Sequence, residues 1–419
     1  MRIFKSILLF LNVAIYSQSY SEMIDELKSR GRWGDYYLKE SNSFMLITRN
    51  INVDSLVFIG DTSLNISTLN TLFKPIEKSS NSSIANLRFK EIKDNHIFIS
   101  TKSKLNFARY GNQSIAAIVD LKTNFKSHIG GIIGSNKDAK GNWKFTGEID
   151  LHLENLFKDG SSFSLFWQQP SSLYRLLDFN IEYPVFSKFP FGVSASYNHE
   201  FYENSYINQT FSNYLTSVGT YGKIKIGSKI QTSNNIATSN ISKTRSASII
   251  LKRDKRNSRW LPYSGSLWYI ESDMGTYKDR IGNTLEWNAN AQVSSYSSFK
   301  STLLHLKLDG SYNQINGRDP SIAKFTKFGG SNSIRGYNEN QFNAQWMSLQ
   351  SVELIFGDLY RSQFFTFIDN IYAKDLIIKP SSGFGIRVFD SKFFYDVSLG
   401  FPIGEFREAK LHIKFNTRL

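Results

Sequence analysis

The chain has 419 residues, 34 of them phenylalanine and 21 tyrosine, only 8 proline and none cysteine. It is long enough for one large domain and a small one. The absence of cysteine excludes disulfides, thiolate metal sites, a cysteine nucleophile and a lipid-modified N-terminal cysteine. A net charge of +14 fits nucleic acid, anionic lipid head groups or a basic channel lining, but Lys and Arg are spread along the chain rather than gathered in one patch, which argues against nucleic acid.

Taken in order, Arg2 and Lys5 precede an apolar run over 7–11, continued by Val13, Ala14 and Ile15, with small residues at Ser17 and Ser19. This predicts a secretory signal peptide over 1–19; the run is too short for a spanning helix of about 20 residues. No later apolar stretch is long enough for a transmembrane helix. Residues 20–50 carry a short helix over 23–30 and a strand over 44–47 and make no complete domain. Residues 51–122 form that domain. A strand over 51–59 is followed by a helix carrying Leu69, Leu72 and Phe73, which Pro75 stops. A helix over 83–93 and strands over 96–101 and 115–121 complete a β-α-α-β-β order.

From 123 to 419 predicted helices vanish and residues alternate with period 2. Ile149, Leu151 and Leu153 alternate with Glu148, Asp150, His152 and Glu154; Leu411, Ile413 and Phe415 alternate with Lys410, His412, Lys414 and Asn416. Each set falls on one face of a sheet. A sandwich could bury the apolar face, whereas a membrane barrel turns it to lipid. The signal peptide, the number of strands and a charged rather than merely hydrophilic second face favour the barrel. Lipid leaves no sheet edge satisfied, so the sheet must close. At about 9–11 residues per strand, the expectation is a mainly β fold: a roughly 16-stranded antiparallel transmembrane barrel behind a small β-α-α-β-β domain.

One long polar connection, over 313–346, interrupts the strands and contains Gly329-Gly330-Ser331-Asn332-Ser333-Ile334-Arg335-Gly336-Tyr337. Glycine permits a tight turn and close backbone approach. Arg335 then projects as a planar fork of donors that seeks carboxylates. Asp369 and Glu353 are the expected partners, from the two strands after the loop. The six histidines are scattered without metal-ligand spacing, no G-x-S-x-G elbow is present, and neither catalysis nor a cofactor is expected.

With these residues in hand, the chain resembles the BamA-like superfamily of outer-membrane assembly and translocation barrels, also called the bacterial surface antigen family. Its Val/Ile-Arg-Gly-Phe/Tyr loop motif is matched by Ile334-Arg335-Gly336-Tyr337, preceded by Phe328-Gly329-Gly330. Further similarities are Arg253-Asp254 and Arg256-Asn257 before Pro262 and Gly265, Phe367-Ile368-Asp369-Asn370, and Gly383, Gly385 and Arg387. The sequence departs from the pattern at Ile371, where the family has glycine, and at the terminal Leu419, where an aromatic is usual. The resemblance implies a periplasmic POTRA-like domain over 51–122, with residues 20–50 a periplasmic segment and partial POTRA, an outer-membrane location and a loop folded into the lumen. It also implies insertion or translocation of client proteins or lipids without nucleotide. The implied partners are unfolded client polypeptides, accessory periplasmic proteins and outer-membrane lipids, including anionic head groups. A passive porin-like channel with a basic lumen is the alternative; it would need no Ile-Arg-Gly-Tyr loop.

Overall fold

The computed structural model describes residues 19–40, 43–96, 98–111, 114–137, 143–171, 173–184, 191–219, 221–236, 238–299, 302–390 and 392–419. The expected signal peptide lies outside the described residues up to position 18. Ser19 begins a helix, Tyr20–Arg30. Its hydroxyl accepts from Glu22 N at 3.3 Å, and the Glu22 carboxylate accepts from Ser19 N at 2.9 Å, a reciprocal cap that satisfies two otherwise orphaned donors. A two-stranded hairpin, Tyr36–Glu40 with Ser43–Ile47, follows.

The chain divides into two compact units. One holds residues up to Asp61, Leu72–Ile92 and Thr101–Lys122; the other holds Thr62–Thr71, Lys93–Ser100 and Thr123–Leu419. In the first, Ser114–Leu121 is the central strand of a three-stranded sheet, parallel to Val53–Gly60 and antiparallel to Lys104–Tyr110. The helix Ser82–Asn95 begins where the Asn81 side chain accepts from Ile84 N at 2.8 Å, an N-cap interaction. Phe73, Ile76, Ala85 and Phe89 are buried in this unit, as are Val53, Ala117 and Val119 of its sheet. Among the described residues no strand spans 96–101 as expected; the strand before Ser114–Leu121 is Lys104–Tyr110. Tyr110 pairs with Ser114, so the segment just upstream of the central strand supplies its antiparallel partner, and residues 96–101 lie too far upstream.

The second unit is a closed barrel of sixteen antiparallel strands, from His128–Lys137 to Lys410–Arg418, each paired with the next barrel strand in sequence. Alternation sets the two faces. On Ser362–Ala373, Phe364, Ile368 and Tyr372 are 54%, 56% and 57% exposed, while Phe365, Phe367, Asp369 and Ile371 are buried. The exterior of this strand is therefore apolar, and its one charged residue, Asp369, faces the lumen. Two short strands, Thr326–Phe328 and Phe342–Ala344, pair within the long connection and belong to a loop packed inside the barrel.

Candidate functional site

The loop returns its tip to the barrel wall because Ile334 is apolar and its neighbours are polar. Ile334 is fully buried in a cluster with Phe328, Ala344, Leu349 and Ile371. Ile371, which replaces the glycine of the family pattern, fills the wall beneath the loop instead of leaving a gap. Burying Ile334 carries Arg335 to the wall beside it, only 7% exposed. A guanidinium placed there must regain the hydrogen bonds it gave up in water, and two strands, Trp346–Asp358 and Ser362–Ala373, supply them.

Arg335 Nε and Nη2 donate to the two oxygens of Asp369 at 2.8 and 2.7 Å, a bidentate pair, and its backbone N donates to Asp369 Oδ2 at 3.1 Å. Nη1 donates to Glu353 Oε1 at 2.5 Å and Nη2 to Ser351 Oγ at 3.1 Å. Ser351 in turn donates to Asp369 Oδ1 at 2.7 Å. Glu353 is shared. Arg387 donates to both its oxygens at 2.9 Å and to Asp396 at 2.9 Å, and His305 Nδ1 lies 2.9 Å from Glu353 Oε2. The array holds two guanidinium groups among three carboxylates, so neither buried cation lacks a counter-charge.

Phe365 and Phe367 face the lumen too, within an otherwise polar lining. The geometry explains both. The Arg335 guanidinium carbon lies 3.5 Å from the Phe367 ring centre and that of Arg387 lies 4.0 Å from the Phe365 ring centre, so each cation rests on an aromatic face. Gly383 and Gly385 leave room for these rings: a Cβ on either would meet the tip of Phe367 at 2.6 Å or of Phe365 at 2.5 Å. The Gly-x-Gly-x-Arg and Phe-x-Asp sequences thus build one site, with the rings over the glycines and the arginines over the rings.

Gly336 continues the loop with φ +86, a conformation suited to glycine. Its backbone lies against Gly400, where a Cβ would stand 2.6 Å from Gly336 N. Gly336 N donates to His412 Nε2 on the last strand at 3.1 Å. Tyr337 donates its hydroxyl to Lys379 O at 2.8 Å. Gly329 and Gly330 turn the chain before the tip: Gly329 N donates to Ser333 Oγ at 2.6 Å, and Ser331 N donates to Glu339 at 2.6 Å. All eight residues singled out from the sequence thus gather within this loop or on the wall that holds it.

Sequence reasoning missed a second attachment on another stretch of wall. Lys324 is buried, and its ammonium donates to Glu286 at 3.1 Å, Thr244 at 2.8 Å and Gln231 at 2.6 Å. Lys327 pairs with Glu200 at 2.6 Å, and Asn208 donates to Ala323 O at 2.5 Å. The signal was weak: Glu286 alone among the luminal positions 284–294 is charged, which marks a buried partner only once the lumen is known to be filled. The register also brings His128 opposite His152, which their distance in sequence concealed. Among the described residues no group of His, Asp and Glu is arranged to hold a metal ion.

The barrel closes through a short seam. The last strand pairs with the first only at Asn416–Gly130, Thr417–Ile129 and Arg418–His128, three positions, whereas the first strand pairs with the second at ten. Beside it, a cavity of about 280 Å³ is lined by Glu148, Gln168, Glu339, His412 and Lys414.

No family sequence model matches the chain, and no curated protein matches it by sequence. Its structure is similar to that of BamA from Haemophilus ducreyi lacking POTRA domains 1–3, with TM-score 0.55 and 14% identity over 94% of this chain and 92% of that one. It is similar to CdiB from Acinetobacter baumannii, with TM-score 0.60 and 12% identity over 94% and 80%. It is also similar to CdiB from Escherichia coli, with TM-score 0.63 and 11% identity over 96% and 84%. The chain therefore has the fold of the BamA-like barrels: a closed sixteen-stranded antiparallel barrel, preceded in the sequence by a small domain of strands and helices.

Proposed function

We propose that this chain is a bacterial outer-membrane barrel that inserts or translocates client proteins, with its N-terminal domain in the periplasm. The apolar exterior supports the membrane location. The observation that carries the function is the seam. The last strand pairs with its other neighbour at eight positions and with the first strand at only three. Opening the seam exposes two strand edges at little cost, and an exposed edge templates another strand. An extended client adds to such an edge through main-chain hydrogen bonds, and its own folding supplies the free energy. The first unit offers a second edge, Val53–Gly60, on which Val57 and Ile59 are 43% and 49% exposed.

The passive channel fits less well. Lys225, Lys229, Lys324, Lys327, Arg335 and Arg387 each face a luminal carboxylate within 3.1 Å, so these cations do not offer a free basic lining. The loop is also tied to strands on several sides of the lumen.

The test is a disulfide across the seam. Ile129 and Thr417 are register partners, and the chain has no cysteine of its own. In cells whose only copy is the Ile129→Cys, Thr417→Cys variant, oxidation should deplete other barrels from the outer membrane, and reductant should restore them. An unchanged outer-membrane protein profile with the disulfide fully formed would exclude insertion through the seam.

A further inference from the structure

On the barrel exterior three basic side chains stand together without an acidic partner among the described residues. Lys243 and Arg245 lie on Asn240–Asp254 and Lys278 ends Gly265–Lys278. All three are exposed, and they alternate with the inward-facing Ser242, Thr244, Ser246 and Tyr277. Lys243 and Lys278 are direct register partners. Like charges directly opposite each other on one face destabilise a strand pair. The neighbouring outward positions offer no relief: Thr232 and Ile230 flank Lys243 and Arg245 on one side, Thr276 faces Arg245, and Asn283 flanks Lys278. The nearest acid in the sequence, Asp279, is held by Arg318 at 2.5 Å and by the backbone N of Ile281 and Gly282. Arg280, in the same turn, reaches Ser239 O across the adjoining hairpin.

Their height on the wall is informative. Along the same outward row come Ala247, Ile249 and Leu251, then Arg253 at the other end. Ten residues separate Lys243 from Arg253; at about 3.4 Å per residue and a tilt of about 40°, that is about 26 Å along the barrel axis. The apolar band of an outer-membrane barrel is about 25 Å tall. Trp287, Tyr312 and Trp346 occupy outward positions on the next strands, with the Trp287 and Tyr312 rings 5.4 Å apart. Such aromatics mark the level of the head groups. The cluster lies at the end of the barrel from which the long loop enters, opposite the last strand's terminus.

We propose that Lys243, Arg245 and Lys278, with Arg280 at their rim, form a binding site for the phosphate of an outer-leaflet lipid head group. The inference rests on the membrane location proposed above but not on any handling of clients. A phosphate between Lys243 and Lys278 converts a repulsive pair into two charge-assisted hydrogen bonds. The long aliphatic stems lie along the apolar wall while the charged ends reach the head-group layer.

The experiment uses the full chain purified in a neutral detergent, with phosphatidic acid, phosphatidylcholine and inorganic phosphate as probes and native mass spectrometry as the readout. Phosphatidic acid should be retained in preference to phosphatidylcholine. Affinity should fall about fivefold for each charge removed in Lys243→Gln, Arg245→Gln and Lys278→Gln. Lys278→Gln alone, at the end of a strand, keeps the test informative if the triple variant does not fold. Luminal Lys252→Gln should leave binding unchanged. Equal binding by wild type and Lys278→Gln, or displacement by an equal concentration of inorganic phosphate, would overturn the proposal. Failure of the wild type to enter phosphatidylcholine vesicles would instead overturn the membrane location and this site with it.

Discussion

Arg335 is held by geometry as much as by charge. Four side-chain hydrogen bonds fix its plane, and the Phe367 ring closes one face. Deleting one member of a buried pair typically costs about 3–5 kcal/mol, because the partner is left uncompensated. Here the two carboxylates are not equal. Glu353 keeps Arg387 when Arg335 is removed, but Asp369 keeps only Ser351 among the polar side chains described around it. Arg335→Ala should therefore lower the temperature at which the folded band converts on gels and impair activity. Asp369→Asn should partly rescue Arg335→Ala, whereas Glu353→Gln should worsen it by leaving Arg387 with one fewer acceptor. Arg335→Lys should also impair, since an ammonium cannot make the bidentate pair. The partners were legible in the sequence because both carboxylates fall on luminal positions of the two strands after the loop. The aromatic floor was not, since Phe367 interrupts the polar lining and the room for its ring comes from Gly383 on the neighbouring strand.

At the scale of one element, the loop is attached at its early and late portions to different strands. Lys324 binds the walls contributed by Gly222–Asn235, Asn240–Asp254 and Asn283–Phe299, and Arg335 binds those of Trp346–Asp358 and Ser362–Ala373. Release of either attachment alone leaves the other, so the two should be coupled through the loop between them. Lys324→Ala leaves Glu286, which is 1% exposed, with Thr244 and Asn313 as donor partners but no cation. Lys324→Ala should make residues 316–345 sensitive to a protease added from outside while the barrel stays folded, and Arg335→Ala added to it should give more cleavage than the two single effects combined. Cleavage no greater than in the wild type would show that Lys324 does not hold the loop. Lys324 escaped sequence reasoning because a lysine in Ser321-Ile322-Ala323-Lys324 looks like a surface residue of a polar connection. Its burial follows from the lumen being filled, a property of the closed barrel and of no local pattern. The same limit explains His128 and His152, which are singletons in sequence and neighbours only once register is set.

Across the whole molecule the wall is uneven. From Tyr206 to Ile315 every barrel strand has 14 to 17 residues, whereas Ser381–Phe389, Phe393–Pro402, Lys410–Arg418 and His128–Lys137 have 9 or 10. At about 3.4 Å per residue and about 40° of tilt, the wall near the seam is roughly 25 Å tall and the far wall roughly 36 Å or more. The strand count was legible from period 2 and length, because those repeat along the chain. The uneven height and the weak seam depend on which strands end beside each other, and the last strand meets the first only on closure. Backbone groups that lack a ladder partner open most readily, and local stability follows the density of such bonds. Hydrogen exchange on the folded protein should therefore divide the barrel. Amides of Asn283–Phe299 and Thr302–Ile315, paired at fourteen positions, should exchange last. Amides of residues 131–137 and 410–415 that point across the seam should exchange orders of magnitude faster, and the disulfide joining positions 129 and 417 should slow those nearest to it. Uniform protection around all sixteen strands would mean that the seam is as closed as the rest of the wall, and the route proposed for clients would then have no opening.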